Sequence, residues 1–223
     1  MTRRLVVGIL KGGAGKSTSA SQLAIWLAML GLGPVLAGDA DTDQTTYEWM
    51  MAVRDKLQEM SNGDPKSRID PVDLTHGRTR RLHELERTYP FSVIDIEPKR
   101  EELLREALWR PDKQPTDLIM PMKPYPPDVR KVPQTIALAQ EVDQHNPVHP
   151  RALLVQVRLG TSHARDMPEM LDDNGIPRFK TLITLKESIG YSLNTTFVDN
   201  GYADVLEELG ITNLKPPKAA GKD

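Results

Sequence analysis

The stretch VVGILKGGAGKSTSASQLAIWLAML, residues 6–30, decides the fold of this chain. Val6 to Leu10 is a short apolar run rich in β-branched residues, which predicts a buried strand. Glycines end this run, and apolar residues then recur at helical spacing from Ser17 to Leu30. A strand, a glycine turn and a helix in this order predict a phosphate-binding loop, because backbone N–H groups and the helix N-terminus converge on the phosphate oxygens.

The loop is K-G-G-A-G-K-S-T, from Lys11 to Thr18, and two lysines frame its glycines. The second lysine, Lys16, is expected to contact the β- and γ-phosphates, and the Ser17 hydroxyl is expected to bind Mg²⁺. The usual pattern G-x-x-x-x-G-K-[ST] begins with glycine, whereas Leu10 stands at that position here. The alternative is an ordinary glycine turn, but the strand before the string and the helix after it favour a nucleotide site.

Composition limits the other possibilities. The chain has 223 residues with 39% hydrophobic content, which suits one globular domain with a substantial core. The formal net charge of −2 gives no overall basic field that would indicate nucleic acid. The absence of cysteine excludes disulfides and cysteine-ligated metal centres and favours a cytoplasmic location. No apolar run reaches about 18 residues, so we expect no membrane span.

Strand-like and helix-like segments alternate along the chain, which predicts an α/β fold, and the phosphate-binding loop near its start makes the P-loop NTPase type the expected one. Such a fold has a mostly parallel sheet with helices on both faces. The segment IDPVDL (69–74) is expected to be a short edge strand, and RTRRLHELERTY (78–89) a charged helix. We expect a single domain over residues 1–212, followed by a polar, disordered tail over 213–223.

Acidic residues stand where two predicted strands end. Asp39 and Asp41 close the second strand, and Asp95 lies in the strong apolar segment SVIDIEP. Because nucleotide sites in open α/β sheets lie outside the carboxyl ends of the strands, these side chains are candidates for the metal and the reaction. A capped turn is the alternative for the first two, since Asp is common in turns.

The string K-G-G-A-G-K-S-T resembles the deviant Walker A motif of the ParA/MinD family of ATPases, in which the early lysine is the signature residue. The resemblance implies a homodimer that forms with ATP, in which Lys16 serves its own nucleotide and Lys11 reaches the nucleotide of the partner. It implies ATP or ADP and Mg²⁺ as cofactors. The residues implied to bind the nucleotide are Gly12, Gly13, Ala14, Gly15, Lys16, Ser17 and Thr18.

The same resemblance gives roles to the acidic residues. Asp41 matches the family's water-orienting aspartate, and Asp95 matches the Walker B aspartate that holds Mg²⁺ through water. The resemblance therefore implies Ser17, Asp39 and Asp95 at the metal, and Lys11, Lys16 and Asp41 as catalytic. The family's D-x-D-P-Q is D-A-D-T-D-Q here, so the residues after Asp41 differ.

A further match lies in MPMKPYPPDVR, residues 120–130, which resembles the family's P-x-x-P-S-P-x-D-L segment. This match implies that Pro124 and Asp128 belong to the nucleotide-base pocket and the dimer face. For Asp128 the alternative is a cap on the helix that follows.

The branch of the family follows from what the sequence lacks. The tail NLKPPKAAGKD has almost no apolar face, so we expect no membrane association, and no cysteine is present for a metal cluster. The chain most resembles the short plasmid-partition ParA proteins. That resemblance implies a DNA-segregation ATPase whose ATP dimer binds non-specific DNA, associates with the nucleoid and is stimulated by a ParB-like centromere-binding protein.

Two points stay open at this stage. The alternative function is a metabolic P-loop enzyme that uses ATP to activate a carboxylate. The residues that would contact DNA are also open, although the C-terminal half carries a set of basic candidates: Arg151, Arg158, Arg165, Arg178, Lys180 and Lys186.

Overall fold

The computed structural model describes residues 1–211, except for the side chain of Asp128. Seven parallel strands form one sheet in the order β3-β2-β4-β1-β5-β6-β7. The strands are β1 (Arg3–Val7), β2 (Val35–Asp39), β3 (Ile69–Asp73), β4 (Phe91–Asp95), β5 (Thr116–Met122), β6 (Val148–Val157) and β7 (Arg178–Thr184). The predicted P-loop-type α/β fold is confirmed.

Helices connect the strands on both faces of the sheet. They are α1 (Lys16–Met29), α2 (Thr45–Met60), α3 (Leu82–Leu85), α4 (Glu101–Leu108), α5 (Pro126–Val129), α6 (Val132–Asp143), α7 (Ser162–Asp173), α8 (Glu187–Gly190) and α9 (Asn200–Glu208). No helix within residues 1–211 is long and apolar enough to cross a membrane. The predicted tail, 213–223, lies outside the described residues.

Each face of the sheet has its own core. Helices α4, α6 and α7 pack on one face, together with Val6 and Leu118. Helices α1, α2 and α9 pack on the other face, together with Leu5 and Val7. Successive residues of β1 therefore point to opposite cores, which explains why the strand is apolar without alternation.

The strand register brings the predicted site residues to one edge. Strand β4 lies between β1 and β2, so Asp95 is the register partner of both Val7 and Asp39. The carboxyl ends of these three strands therefore meet directly below the loop that follows β1.

Two predicted elements differ in the structure. Strand β1 ends at Val7, so Ile9 and Leu10 already belong to the loop, although both are buried. The expected charged helix over 78–89 is a succession of short turns, with α3 between two 3₁₀ segments. Its regular course is broken because the carboxylate of Glu86 turns inward to the core.

A buried ion network anchors the start of β1 and explains the inward turn of Glu86. The Arg4 side chain is fully buried, and its Nε donates to Glu86 Oε2 at 3.0 Å. Ser92 donates to the same Glu86 oxygen at 2.9 Å, and Arg110 donates to the backbone of Thr2 at 3.1 Å.

The edge strand predicted over IDPVDL is confirmed as β3, where its proline is tolerated because an edge strand leaves one side unpaired.

Candidate functional site

The glycine-rich loop joins β1 to α1 and forms a cradle with an open face. Gly13 and Gly15 have φ of +68° and +84°, a conformation that glycine adopts without strain. A Cβ atom added at Gly12 or Gly13 would meet no atom within 4 Å, so the space beside these residues is open. The bond from Ser19 N to Gly15 O, at 3.0 Å, closes the first turn of α1. The backbone N–H groups before it lack helical acceptors, which is the arrangement that binds phosphate.

The two lysines of the loop lie at different depths. Lys16 is buried, and its Nζ donates to the carbonyl of Lys11 at 3.4 Å. Burial lowers the pKa of Lys16, while the nearby charges of Asp95 and Asp41 act in the opposite direction. Lys11 is half-buried at the mouth of the loop. The buried ammonium therefore lies close to the carboxylates of the neighbouring strands.

Asp95 is a fully buried acid at the carboxyl end of β4. Its Oδ2 accepts a hydrogen bond from Thr46 Oγ1 at 2.8 Å, whereas its buried Oδ1 has no hydrogen-bond partner among the described residues. Burial, followed by the charge of Asp39, raises the pKa of Asp95 to about 7. The hydroxyls of Ser17 and Thr46 and the ammonium of Lys16 favour the charged form.

Asp39 and Asp41 differ in environment although they are two residues apart. Asp39 is fully buried, and its two oxygens accept hydrogen bonds from Asp41 N and Tyr47 N, both at 2.9 Å. Burial raises the pKa of Asp39. Asp41 is half-buried, and its Oδ1 accepts from Asp43 N at 3.1 Å. Asp39 thus fixes the loop to the start of α2, while Asp41 lies where it can meet a ligand.

The residues present fit a nucleotide-bound Mg²⁺ rather than a metal held by the protein alone. No group of three or more His, Cys, Asp or Glu side chains within residues 1–211 is arranged to hold a metal. Mg²⁺ commonly takes one or two protein ligands and completes its shell with water and phosphate oxygens. The orphaned Asp95 Oδ1 and the Ser17 hydroxyl suit that arrangement. The metal role of Asp39 stays a prediction, and both of its oxygens already accept backbone hydrogen bonds.

A cavity of about 400 Å³ opens beside the loop, between α1, α2 and the carboxyl ends of β6 and β7. Thr18, Thr45, Trp49, Gln156, Lys186 and Tyr202 are among the residues that line it. Gln156 has a φ of +54°, and the pairing of β6 with β7 is irregular around it. Strain of this kind in a non-glycine residue is often found at ligand sites.

The two predicted base-pocket residues are Pro124 and Asp128, and the structure does not place Pro124 at this cavity. Pro124 is buried in the connection between β5 and α5 and is not among the residues that line the cavity. The side chain of Asp128 is not described. Their roles in binding the base and in dimerisation stay predictions.

Two features of this site were not predicted from the sequence. The first is Thr46, whose only sequence signal is its place after the acidic turn, at the start of a predicted helix. The second is the segment 185–199 between β7 and α9, which we call the covering segment. The side-chain amide of Gln22 in α1 makes two hydrogen bonds to this segment: its nitrogen donates to Phe197 O at 3.0 Å, and its oxygen accepts from Asp199 N at 2.8 Å. A glutamine on the apolar surface of α1 was the available signal.

Two tryptophans hold the covering segment in place. Trp26 Nε1 donates to Asp199 O at 2.8 Å, and Trp49 Nε1 donates to Thr195 O at 2.9 Å. Both rings are buried. The covering segment is thus attached to α1 and α2, the two helices whose N-termini flank the loop.

No protein-family model matches the chain, and no curated protein sequence matches it. Solved structures do match over nearly the whole chain. McdA from Cyanothece, as a variant in complex with ATP, superposes with a TM-score of 0.73 at 16% identity, covering 96% of this chain and 99% of that one. A putative plasmid partition protein from Borrelia burgdorferi bound to AMPPNP gives 0.70 at 18% identity, covering 95% and 99%.

A third similar structure is an enzyme. Cobyrinic acid a,c-diamide synthase from Mycobacterium smegmatis, with ADP and magnesium bound, gives a TM-score of 0.67 at 22% identity, covering 99% of this chain and 100% of that one. The chain has the fold of the ParA/MinD-type P-loop ATPases, so the recognition made from the loop sequence is confirmed at the level of the fold. At these identities the likeness shows the fold alone.

Proposed function

We propose that this chain is an ATPase of the ParA type, an ATP-dependent switch that dimerises, binds DNA of any sequence and responds to a ParB-like centromere-binding partner. The observation that carries the proposal is the K-G-G-A-G-K-S-T loop, with one lysine buried in the site and the other at its mouth. A single buried lysine suffices for a nucleotide phosphate. The second cation is explained if it serves a nucleotide bound by a facing subunit.

The geometry of the cradle supports ATP as the ligand. The backbone N–H groups of Gly12 to Thr18 would bind the phosphates, and Lys16 would contact the β- and γ-phosphates. Charge-assisted contacts of this kind are shorter and stronger than neutral hydrogen bonds. The cavity between α1 and the ends of β6 and β7 has room for the base and ribose. Mg²⁺, when bound, would be held by Ser17 and, through water, by Asp95, and it would offset the charge of the phosphates.

Hydrolysis needs a water molecule in line with the γ-phosphate. Asp41 suits the role of orienting this water, because its carboxylate is half-buried, follows β2 and lies close enough to Lys16 to influence its charge. Asp39 supports it, since the Asp39 carboxylate holds the backbone N–H of Asp41 at 2.9 Å. Phosphoryl transfer depends mostly on such positioning and on electrostatic stabilisation.

DNA binding is proposed for the dimer. Several of the basic candidates are committed to internal contacts: Arg178 pairs with Asp172 at 2.7 Å, and Lys186 with Asp199 at 2.6 Å. Arg158 and Lys180 are exposed and are better candidates. With a net charge of −2 for the chain, two copies must pool their basic surfaces to hold DNA.

A second candidate function is that of an enzyme that uses ATP to activate a carboxylate. The observation that favours it is the full-length structural likeness to a diamide synthase that binds ADP and magnesium. The two candidates differ in what they predict for DNA. A partition-type switch shifts DNA mobility only with ATP, whereas a ligase leaves DNA mobility unchanged.

The experiment that tests the proposal compares Lys11→Ala with the wild-type protein. With ATP and Mg²⁺ the wild type is expected to sediment as a dimer and to retard DNA, with a steep loss of binding as salt rises. Lys11→Ala is expected to bind ATP nearly as well, since Lys16 and the backbone amides remain, but to stay monomeric and to leave DNA free. Lys56→Ala, which removes an exposed lysine of α2, is the matched control. A Lys11→Ala protein that dimerises normally contradicts the proposal.

A further inference from the structure

Thr46 lies where the loop after β2 meets the metal site. Its side chain is buried in the first turn of α2, and its hydroxyl lies 2.8 Å from Asp95 Oδ2 and 3.4 Å from the carbonyl of Ser17. The next residue, Tyr47, donates its backbone N–H to Asp39 Oδ2. The start of α2 therefore contacts both buried acids and the backbone of Ser17, the residue whose hydroxyl would bind the metal.

The hydroxyl of Thr46 makes the two oxygens of Asp95 unequal. A hydroxyl has one proton to donate, and the shorter contact, to Asp95 Oδ2, takes it. The other oxygen, Oδ1, is buried and has no hydrogen-bond partner in the part of the chain that the structure describes. A carboxylate that is held by one oxygen cannot rotate freely, so the open lone pairs of Oδ1 keep a fixed direction.

We propose that Thr46 is a positioning residue for Mg²⁺. By holding Asp95 Oδ2, it presents Oδ1 to the metal hydration shell, and it thereby ties the start of α2 to the presence of the metal. This inference rests on the proposed nucleotide site and adds to it a residue outside the loop and the acidic turn. Partners that orient a metal ligand in this way commonly change metal affinity 10- to 100-fold when they are removed.

The test separates the hydroxyl of Thr46 from its shape. Thr46→Val removes the hydroxyl and keeps the branched side chain, whereas Thr46→Ser keeps the hydroxyl. Thr79→Val is the matched control, because Thr79 is equally buried and its hydroxyl donates to Leu74 O at 3.1 Å, away from the site. For each protein, ATP affinity is measured in EDTA and in Mg²⁺, and Mn²⁺ binding to the ATP complex is measured by electron paramagnetic resonance.

We expect the wild type, Thr46→Ser and Thr79→Val to bind ATP more tightly with Mg²⁺ than without it. Thr46→Val is expected to bind ATP normally in EDTA, but to lose about tenfold of the gain from Mg²⁺ and to bind Mn²⁺ correspondingly more weakly. A KM for Mg²⁺ that rises without a matching fall in kcat at saturating metal supports the same conclusion.

Four results overturn the inference. If Thr46→Val keeps the full Mg²⁺ gain, the hydroxyl does not position Asp95. If Thr46→Val loses ATP affinity equally in EDTA and in Mg²⁺, or if Thr46→Ser fails in the same way, the role is structural. A wild-type protein that gains nothing from Mg²⁺ overturns the proposed nucleotide site as well, which distinguishes that failure from the failure of Thr46 alone.

Discussion

Replacing Asp95 with Asn is expected to stabilise the ligand-free protein, and the gain is expected to grow with pH. Burial and the neighbouring Asp39 raise the pKa of Asp95 from 3.8 to about 7, so the charged carboxylate is disfavoured in the folded state. Because the folded-state pKa lies above the unfolded-state value, the native protein binds more protons than the unfolded chain between about pH 4 and pH 7. The free energy of unfolding therefore falls as pH rises through this interval.

The size of this stability change follows from the difference between the folded-state and unfolded-state pKa of Asp95. Each pKa unit corresponds to about 1.4 kcal/mol. Raising the pKa of Asp95 by about three units therefore lowers the free energy of unfolding of the wild type by about 4 kcal/mol between pH 4 and pH 8. Asn has no charge to bury and keeps an oxygen that can accept the bond from Thr46. The Asp95→Asn protein is therefore expected to escape this loss, and its advantage over the wild type is expected to approach that value at pH 8.

Denaturant unfolding at pH 4.5, 6 and 8, followed by circular dichroism without nucleotide or metal, measures the effect. Asp43→Asn, which removes an exposed carboxyl group from the neighbouring loop, is the control and is expected to change stability little at any of these pH values. The reasoning is refuted if the advantage of Asp95→Asn is the same at pH 4.5 and pH 8, or if the wild type is the more stable protein at pH 8.

Three further outcomes are expected. Lys16→Ala should weaken ATP binding at least tenfold, since a hydrogen bond to a charged group contributes about 1.5–3 kcal/mol, and near-normal affinity by calorimetry would count against the site. Asp41→Ala should bind ATP but stop releasing phosphate, and unchanged turnover would show that another group orients the water. Arg4→Met should lower the free energy of unfolding by about 3 kcal/mol, because buried Glu86 loses its closest cation and keeps only the longer pairing with Arg110, at 3.6 Å. Adding Glu86→Leu should recover much of that loss in urea titrations, and no recovery would contradict the ion-network explanation.

The phosphate loop could be predicted from the sequence because its geometry is set locally. Glycines at positions 13 and 15 permit the positive φ angles, and the apolar helix follows at once. The grouping of Asp39 and Asp95 was also predictable, since the ends of parallel strands meet at one edge of the sheet. The exact end of β1 was not, because Ile9 is as apolar as a strand residue and is buried in the loop instead.

Features that depend on contacts between distant parts of the chain could not be predicted from the sequence. Thr46 contacts Asp95 across 49 positions, and Gln22 meets Asp199 across 177. The prediction of a charged helix over residues 78–89 was wrong for a similar reason. The pairing of Glu86 with Arg4, across 82 positions, outweighs the helical preference of the local sequence. In each case a single polar side chain acts through a partner that no local pattern identifies.

The attachment of the covering segment gives the protein its own optical reporter. Trp49 is buried, lines the cavity beside the phosphate loop and donates its indole N–H to Thr195. Trp109 is 45% exposed, so acrylamide should quench its emission first. In a Trp109→Phe protein the remaining tryptophan fluorescence comes from Trp26 and Trp49, both of which hold the covering segment. A ligand that enters the cavity should change the wavelength of maximum emission and the fluorescence lifetime. Binding can then be followed on unlabelled protein in real time.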